Sequence, residues 1–424
     1  MKSKKMDLSQ YIFHIDMDSF FASAISTVRP ELKGKKVAVA TNNLRAIVAA
    51  ASYEAKACGV KIAKPVYQAK HVCPDVIIVP PDFALFNKLS TGIFEYLAFT
   101  YSVPIQIYSI DECYMNVTSL ISKDMSPKKL ALQIQNQILS EFDIPVSIGI
   151  SHNLWNAKMS SPLNKPLGIS VTKPSKMKDI LYPLPIDDFF GIGKSSSEKL
   201  KKLGIKTIGD FCTFKVHYNI LEAIFKGRFQ GLIENCQGLS SNFVDEDANL
   251  LKGIGNSETF DYDLSSYEDL VQELSRMVDR AWKRLKARAL YPYSISVSLR
   301  SQEKKWTSKQ HIFKEAINTK ESALKEAIKL FEKLWKEETQ RGIGVSFSKL
   351  VNKFEQRENN VLFEEYDEET RMENKVKKIV QSVNKNFKNK AVFSGQEYLE
   401  NQTLNKKRQR FLKDDFSYKN ESIK

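Results

Sequence analysis

Two groups of acidic residues stand where phosphoryl-transfer chemistry could use them. Asp16 and Asp18 flank Met17 at the end of the apolar run Tyr11-Ile12-Phe13-His14-Ile15, and Asp111-Glu112 sit together inside the hydrophobic segment 105–117. If the first run is a strand that continues so far, alternation puts Asp16 and Asp18 on one face and Met17 on the other. Carboxylates at the ends of neighbouring strands suit hard divalent ions, which take oxygen ligands and keep positions for water and phosphate. Paired ions can activate a 3′-hydroxyl and stabilise a departing pyrophosphate in an in-line displacement. Adjacent Asp-Glu also occurs in solvated turns, so this spacing alone leaves the plain loop open.

The elements around these residues read as α+β and as several domains. The segment 36–40 is strand-like, and a helix over 52–57 stops at Cys58-Gly59. Ile77-Ile78-Val79 is a short strand closed by Pro80-Pro81, and a helix over 84–98 follows. Two strands joined through Ser109-Ile110-Asp111-Glu112 come next. Leu130, Ile134, Ile138 and Phe142 mark an amphipathic helix, and 146–150 returns as a strand. From 181 to 245 short helices are punctuated by Gly191-Ile192-Gly193 and Leu203-Gly204-Ile205. Over 250–351 the order is βαββαβ, a split βαβ, ferredoxin-like layer, with helical stripes on Leu270, Leu274, Met277 and Leu285 and on Leu324, Ile328 and Phe331. Residues 352–424 are polar and charge-dense.

Composition narrows the partner. Lys and Arg exceed Asp and Glu by 14 charges, which points to an anionic partner such as nucleic acid or a membrane surface. No apolar run reaches the ~18 residues of a spanning helix, and the N-terminus lacks a signal-peptide core, so a cytoplasmic protein with no membrane partner is expected. The five cysteines are widely spaced, with no CxxC, and only five histidines accompany them. That pattern argues against zinc and for reduced, buried thiols.

Five motifs, in order, resemble those of the Y-family (DinB/UmuC, ImpB/MucB/SamB-type) translesion DNA polymerases. They are YIFHIDMDSFF at 11–21, Ala51-Ser52-Tyr53-Glu54-Ala55-Lys56, Ser109-Ile110-Asp111-Glu112-Cys113-Tyr114, the late segment with Asn164-Lys165-Pro166-Leu167-Gly168-Ile169, and Phe190-Gly191-Ile192-Gly193-Lys194. The resemblance implies a right-hand polymerase: palm 1–25 and 80–180, fingers 26–79, a thumb with a helix–hairpin–helix at 181–245, and a little finger at 250–351. It implies template-directed insertion of dNTPs opposite damaged or undamaged template, without proofreading.

Site roles follow from the same resemblance. Asp16 and Asp111 bridge two Mg²⁺ ions, for which Mn²⁺ can substitute; Glu112 binds one ion and the Met17 carbonyl the other. The amides around Phe20 and Phe21 meet the triphosphate, and the Phe21 ring is the steric gate against a ribose hydroxyl. Tyr53, Lys56 and Lys165 hold the β- and γ-phosphates. Lys56 stands where arginine is usual and Ala50 where a hydroxyl is common, so weaker nucleotide binding is expected. Arg45, Ala46 and Ile47 roof the templating base. Gly191, Gly193 and Lys194 contact a DNA phosphate, and Arg300, Lys304 and Lys305, with Arg284, Arg288 and Lys309, supply a basic face.

Beyond that domain, Asn360-Val361-Leu362-Phe363 resembles a sliding-clamp peptide through Leu362 and Phe363, although the usual leading Gln is missing. Primed template DNA, dNTP and a clamp are therefore the expected partners, and the bacterial nucleoid the expected place of action. Two other classes fit less well. A catalytically silent DNA- or clamp-binding accessory has no use for mutually repelling carboxylates. A nucleotidyl cyclase has none for the thumb-like hairpin or the basic domain.

Overall fold

The computed structural model describes residues 9–41, 45–214, 218–246 and 252–352. They divide into two compact units, one on either side of the 247–251 segment.

The first unit is built on a strand that is buried on both faces. β1 (Ile12–Met17) begins it, followed by α1 (Phe20–Val28) and a small subdomain of β2 (Val37–Val39), β3 (Ala50–Ala51), α2 (Tyr53–Ala57), α3 (Val66–Val72) and β4 (Ile77–Val79). The chain returns through α4 (Phe83–Tyr101), β5 (Ile105–Ile107), β6 (Glu112–Asn116), α5 (Pro127–Phe142), β7 (Val146–Ser151), α6 (Leu154–Ser160) and β8 (Ile169–Val171). The main sheet runs β5-β6-β1-β7-β8, so β1 lies at its centre with antiparallel neighbours on both sides. Strand alternation sorts β1 cleanly. Phe13, Ile15 and Met17 enter the core made with α1, α4 and α5, while Ile12 packs with Tyr114 and Ala157 on the other face. Gly149 in β7 is required by close approach, because a Cβ there would stand 2.1 Å from the Ala157 carbonyl oxygen of α6.

Local signals explain the helix ends. The side chain of Asp82 caps α4 by accepting from the Leu85 N–H, and Ser126 caps α5 ahead of Pro127 in the first turn. α4 runs past the expected 84–98 because its last turn continues to Tyr101 before Ser102 turns left-handed. The subdomain sheet, β3-β2-β4, covers a separate small core of Ala38, Val48, Ala51, Ala55, Val60, Ala69 and Cys73.

The rest of the unit is helical: α7 (Met177–Leu181), α8 (Lys194–Lys202), α9 (Ile208–Thr213), α10 (Tyr218–Phe225) and α11 (Phe229–Cys236) gather around Phe189, Leu200, Phe211 and Leu221. The expectation that all five thiols are reduced is corrected here. α9 and α11 bring Cys212 and Cys236 to a Cα separation of 5.3 Å, and the two are disulfide-bonded. Helix packing, not a sequence motif, makes that pair.

The second unit is β9 (Gly253–Leu264), α12 (Tyr267–Ala287), β10 (Leu290–Ser301), β11 (Trp306–Ile312), α13 (Lys320–Leu334) and β12 (Gln340–Asn352), the βαββαβ order expected. Its sheet order is β11-β10-β12-β9, so each helical crossover passes over one intervening strand. Ile295, Val297, Leu299, Ile343, Val345 and Phe347 face the helices. The opposite positions are small or polar: Ser296, Ser298, Arg300, Gly344 and Ser346.

Candidate active site

The sheet register brings the two acidic groups together. β1 and β6 pair antiparallel with Asp16 opposite Glu112, and on its other side Asp16 faces Ser147 of β7. The Met17 N–H donates to the Asp111 carbonyl at 2.9 Å, which fixes the turn before β6 against the end of β1. One ligand atom each of His14, Asp16 and Glu112 lie within 4.8 Å of one another. Asp111 stands beside them, its carboxylate accepting from Ser109 Oγ at 2.6 Å, and both it and Glu112 push the Asp16 carboxyl upward.

Each carboxylate has a different electrostatic setting. Burial raises the Asp16 carboxyl to about 6; Lys165, hydrogen-bonded to it, lowers it again only in part. Burial also raises Asp111. Glu112 goes the other way. Burial would raise it, but the His14 hydrogen bond at 2.8 Å and the Lys158 ammonium outweigh that, and it falls to about 2. His14 is lowered by burial to about 4, so at neutral pH it is an uncharged ring between Glu112 and Ser161. Lys158 is boxed by aromatic faces, 4.7 Å from the Tyr108 ring centre and 4.9 Å from that of Phe190.

Asp18 belongs to the scaffold. It is fully buried, accepting from Ser147 Oγ at 2.8 Å, the Leu167 N–H at 2.8 Å and Tyr53 Oη at 3.0 Å. With so many donors its oxygens are committed. Tyr53 is thereby tied to the main sheet, and burial followed by the Asp18 charge pushes its hydroxyl pKa up. Lys56 reaches Ser19 Oγ at 2.7 Å and lies over the Tyr53 ring; burial, then the nearby Lys165, depresses its pKa. Tyr53 and Lys56 from α2 and Lys165 from the segment before β8 thus converge on the rim of the carboxylates.

Phe20 and Phe21 part company. The Phe20 ring is 3 % exposed and belongs to the core, which leaves only its amide for a ligand. The Phe21 ring is partly buried, stacked on Phe86 at 4.3 Å with planes 7° apart and set against the edge of Phe83. Among the described residues, neither the Phe20 nor the Phe21 N–H has a backbone acceptor at the start of α1, where Ser19 is left-handed. At the proposed roof, Ala46 is buried and Ile47 is 48 % exposed, so Ile47 presents the surface there. Arg45 precedes them in a turn.

In the helical part, Gly191 adopts φ +107°, a conformation for glycine, and Gly193 caps α8. Lys194 follows with its side chain 90 % exposed. In the second unit Arg300 donates to Thr259 Oγ1 at 2.6 Å and Arg284 to the Gly255 carbonyl, whereas Lys304, Lys305 and Lys309 are exposed. Leu362 and Phe363 lie outside the described residues. Sequence reading missed His14, Lys158 and Phe86. Strand alternation carried a signal for His14, two residues before Asp16; the others are set by tertiary packing.

With both His14 nitrogens engaged by Ser161 and Glu112, the donors left to a cation are carboxylate oxygens shared between opposed strands, a fit for hard divalent cations. The chain is similar to known proteins along most of its length. Residues 15–162 match the impB/mucB/samB family, residues 251–360 its C-terminal domain, and 174–205 the family's HHH motif. The chain is 35 % identical to DNA polymerase IV of Oceanobacillus iheyensis over 357 residues, covering 83 % of this chain and 84 % of that one. It is 34 % identical to DNA polymerase IV 1 of Bacillus subtilis, covering 91 % and 93 %. Among solved structures, the Y-family DNA polymerase chimera Dbh-Dpo4-Dbh superposes with a TM-score of 0.73 at 28 % identity, over 81 % of this chain and 99 % of that one. An insertion ternary complex of Dbh DNA polymerase, also 28 % identical, gives 0.57 with the same coverage.

Proposed function

Since this chain belongs to the impB/mucB/samB family of Y-family DNA polymerases, a translesion DNA-directed DNA polymerase dependent on divalent metal, we propose that Asp16, Asp111 and Glu112 are its catalytic carboxylates. The observation that carries this is the β1–β6 register, which sets Asp16 opposite Glu112 at the open end of the sheet. Template DNA and dNTP are its substrates, as in the Dbh ternary complexes.

The residues present assign the work as follows. Asp16 and Asp111, with Glu112 and the Met17 carbonyl, would hold two Mg²⁺ ions, or Mn²⁺ in their place. When bound, such ions promote loss of the primer 3′-hydroxyl proton and neutralise charge on the triphosphate. Asp18 takes no part beyond fixing the end of β1 and Tyr53. Lys165, Lys56 and Tyr53 orient the β- and γ-phosphates, and the Phe20 and Phe21 amides add converging donors. The Phe21 ring, backed by Phe86, packs against the sugar where a ribose hydroxyl would stand. Arg45, Ala46 and Ile47 cover the templating base.

Domain roles follow the cores. The main sheet is the palm, the β3-β2-β4 subdomain the fingers, α8–α11 the thumb and the second unit the little finger. Gly191, Gly193 and Lys194 approach a phosphate through backbone and ammonium, and the Ser- and Gly-lined sheet face admits the duplex beside Arg300, Lys304 and Lys305. Leu362 and Phe363 are assigned to a sliding clamp, and the site of action to the cytoplasmic nucleoid. Among the described residues no helix is long and apolar enough to cross a membrane. Primer extension on a primed template with Mg²⁺, comparing wild type with Asp16→Asn and Glu112→Gln, tests the assignment. Loss of extension with retained DNA binding is expected. Extension at the wild-type rate by either variant would overturn it.

A further inference from the structure

The small sheet carries a second cluster of ligand-type side chains, remote in sequence from the catalytic carboxylates. Cys58 closes the C-terminal end of α2 and Cys73 that of α3, and Asp75 follows before β4. The two sulfurs and an Asp75 carboxylate oxygen lie within 4.8 Å of one another. Cys73 is fully buried, Cys58 partly so, and Asp75 is open to solvent. Cys73 Sγ stands 3.5 Å from Asp75 Oδ1, and Lys36 Nζ holds the same carboxylate at 3.2 and 2.8 Å.

We propose that Cys58, Cys73 and Asp75 form a binding site for one thiophilic divalent cation of the Zn²⁺ class, with its fourth position open to solvent. Two thiolates and one carboxylate are a ligand set that Zn²⁺ takes in tetrahedral geometry, with bonds of about 2.3 Å to sulfur and about 2.0–2.2 Å to oxygen. Those lengths bring donors roughly 3.5–3.8 Å apart, a closure from the observed spacing that side-chain rotation can supply. Charge balances as well. A dication on three anionic ligands leaves one negative charge, and the Lys36 ammonium beside Asp75 neutralises it while orienting the carboxylate.

Sulfur donors separate this site from the catalytic one. Soft thiolates favour Zn²⁺ over Mg²⁺, and the all-oxygen palm site has the opposite preference. Thiols ligate as thiolates, so cation binding must release protons and must strengthen with rising pH. The ion would pin the C-terminal end of α2, which carries Tyr53 and Lys56, to α3 and the start of β4. The assignment does not depend on the polymerase mechanism. The wide spacing of Cys58 and Cys73 hid the pair from motif reading.

Cobalt titration of the reduced, chelator-treated full chain tests the proposal. One equivalent of Co²⁺ is expected to raise a thiolate-to-cobalt charge-transfer band, which Zn²⁺ then bleaches. The palm carboxylates can take Co²⁺ but give no sulfur band. Cys58→Ser, a near-isosteric change at a partly exposed position, should abolish the band. Lys36→Gln should weaken the affinity about tenfold, and Cys212→Ser should leave it unchanged. A wild-type protein without the band, or a full band in Cys58→Ser, would overturn the assignment.

Discussion

Lys165 hydrogen-bonds the carboxylate of Asp16, a residue 149 positions earlier in the chain. Lys158 makes the equivalent contact to Glu112 from α6. Two of the three carboxylates proposed as catalytic therefore carry an ammonium partner, and divalent cations would compete with these side chains for them. The competition has measurable consequences.

Asp16 makes the metal-free fold less stable at neutral pH. Its folded pKa of about 6 lies above the ordinary 3.8, so the folded state binds the proton more tightly. Stability is then highest below the unfolded pKa and falls as pH rises through 6, by on the order of 3 kcal/mol. Asp16→Asn should stabilise the metal-free protein at pH 7.5 by about 1–2 kcal/mol while abolishing extension. Urea unfolding with chelator present measures this. For wild type, Mg²⁺ affinity should drop about tenfold for each pH unit below 6.

Glu112 has the reverse sign. Its carboxyl is depressed to about 2, so it contributes stability above its ordinary pKa that is lost as pH falls through 2. Lys158→Met removes the ammonium and leaves a buried carboxylate with His14. We expect a loss of roughly 3 kcal/mol at pH 7 in chelator, and a smaller loss in millimolar Mg²⁺, which replaces the missing charge. Equal losses in both buffers would separate Lys158 from the cation site.

Phe21→Ala should relax sugar selection. The Phe21 ring is held in place by Phe86 stacked at 4.3 Å, so truncation leaves open space at the proposed sugar gate. The ratio of kcat/KM for deoxynucleotide over ribonucleotide should fall at least about tenfold, equivalent to ~1.4 kcal/mol. An unchanged ratio would remove Phe21 from the gate.

DNA binding should be electrostatic at the second unit. Lys304 and Lys305 are exposed beside β11, itself exposed along its whole length. Replacing both with Ala should weaken duplex binding at all sequences and flatten the slope of log K against log salt by about 1.8. Fluorescence anisotropy across a salt series reads both.

The sequence made the juxtaposition of Asp16 with Glu112 legible because β1 is short, apolar and ends in a charge, and because the family motifs recur in order. The βαββαβ unit was legible from the stripes on α12 and α13. What escaped notice depends on packing between distant elements. Lys158 reads as one more helix lysine until Tyr108 and Phe190 enclose it. Phe86 reads as core until its face meets Phe21. Cys212 and Cys236, expected to be free, pair only because α9 and α11 are neighbours. Phe20 was expected to offer its amide, and the burial of its ring fits that reading.

The central assignment is that Asp16, Asp111 and Glu112 converge on paired cations, and anomalous scattering tests it most directly. Crystals of the protein with primed template, a non-hydrolysable dNTP and Mn²⁺ should show two manganese peaks bounded by those three side chains, with Lys165 swung onto the triphosphate. Manganese bound elsewhere, or Asp111 turned away from both ions, would contradict the account.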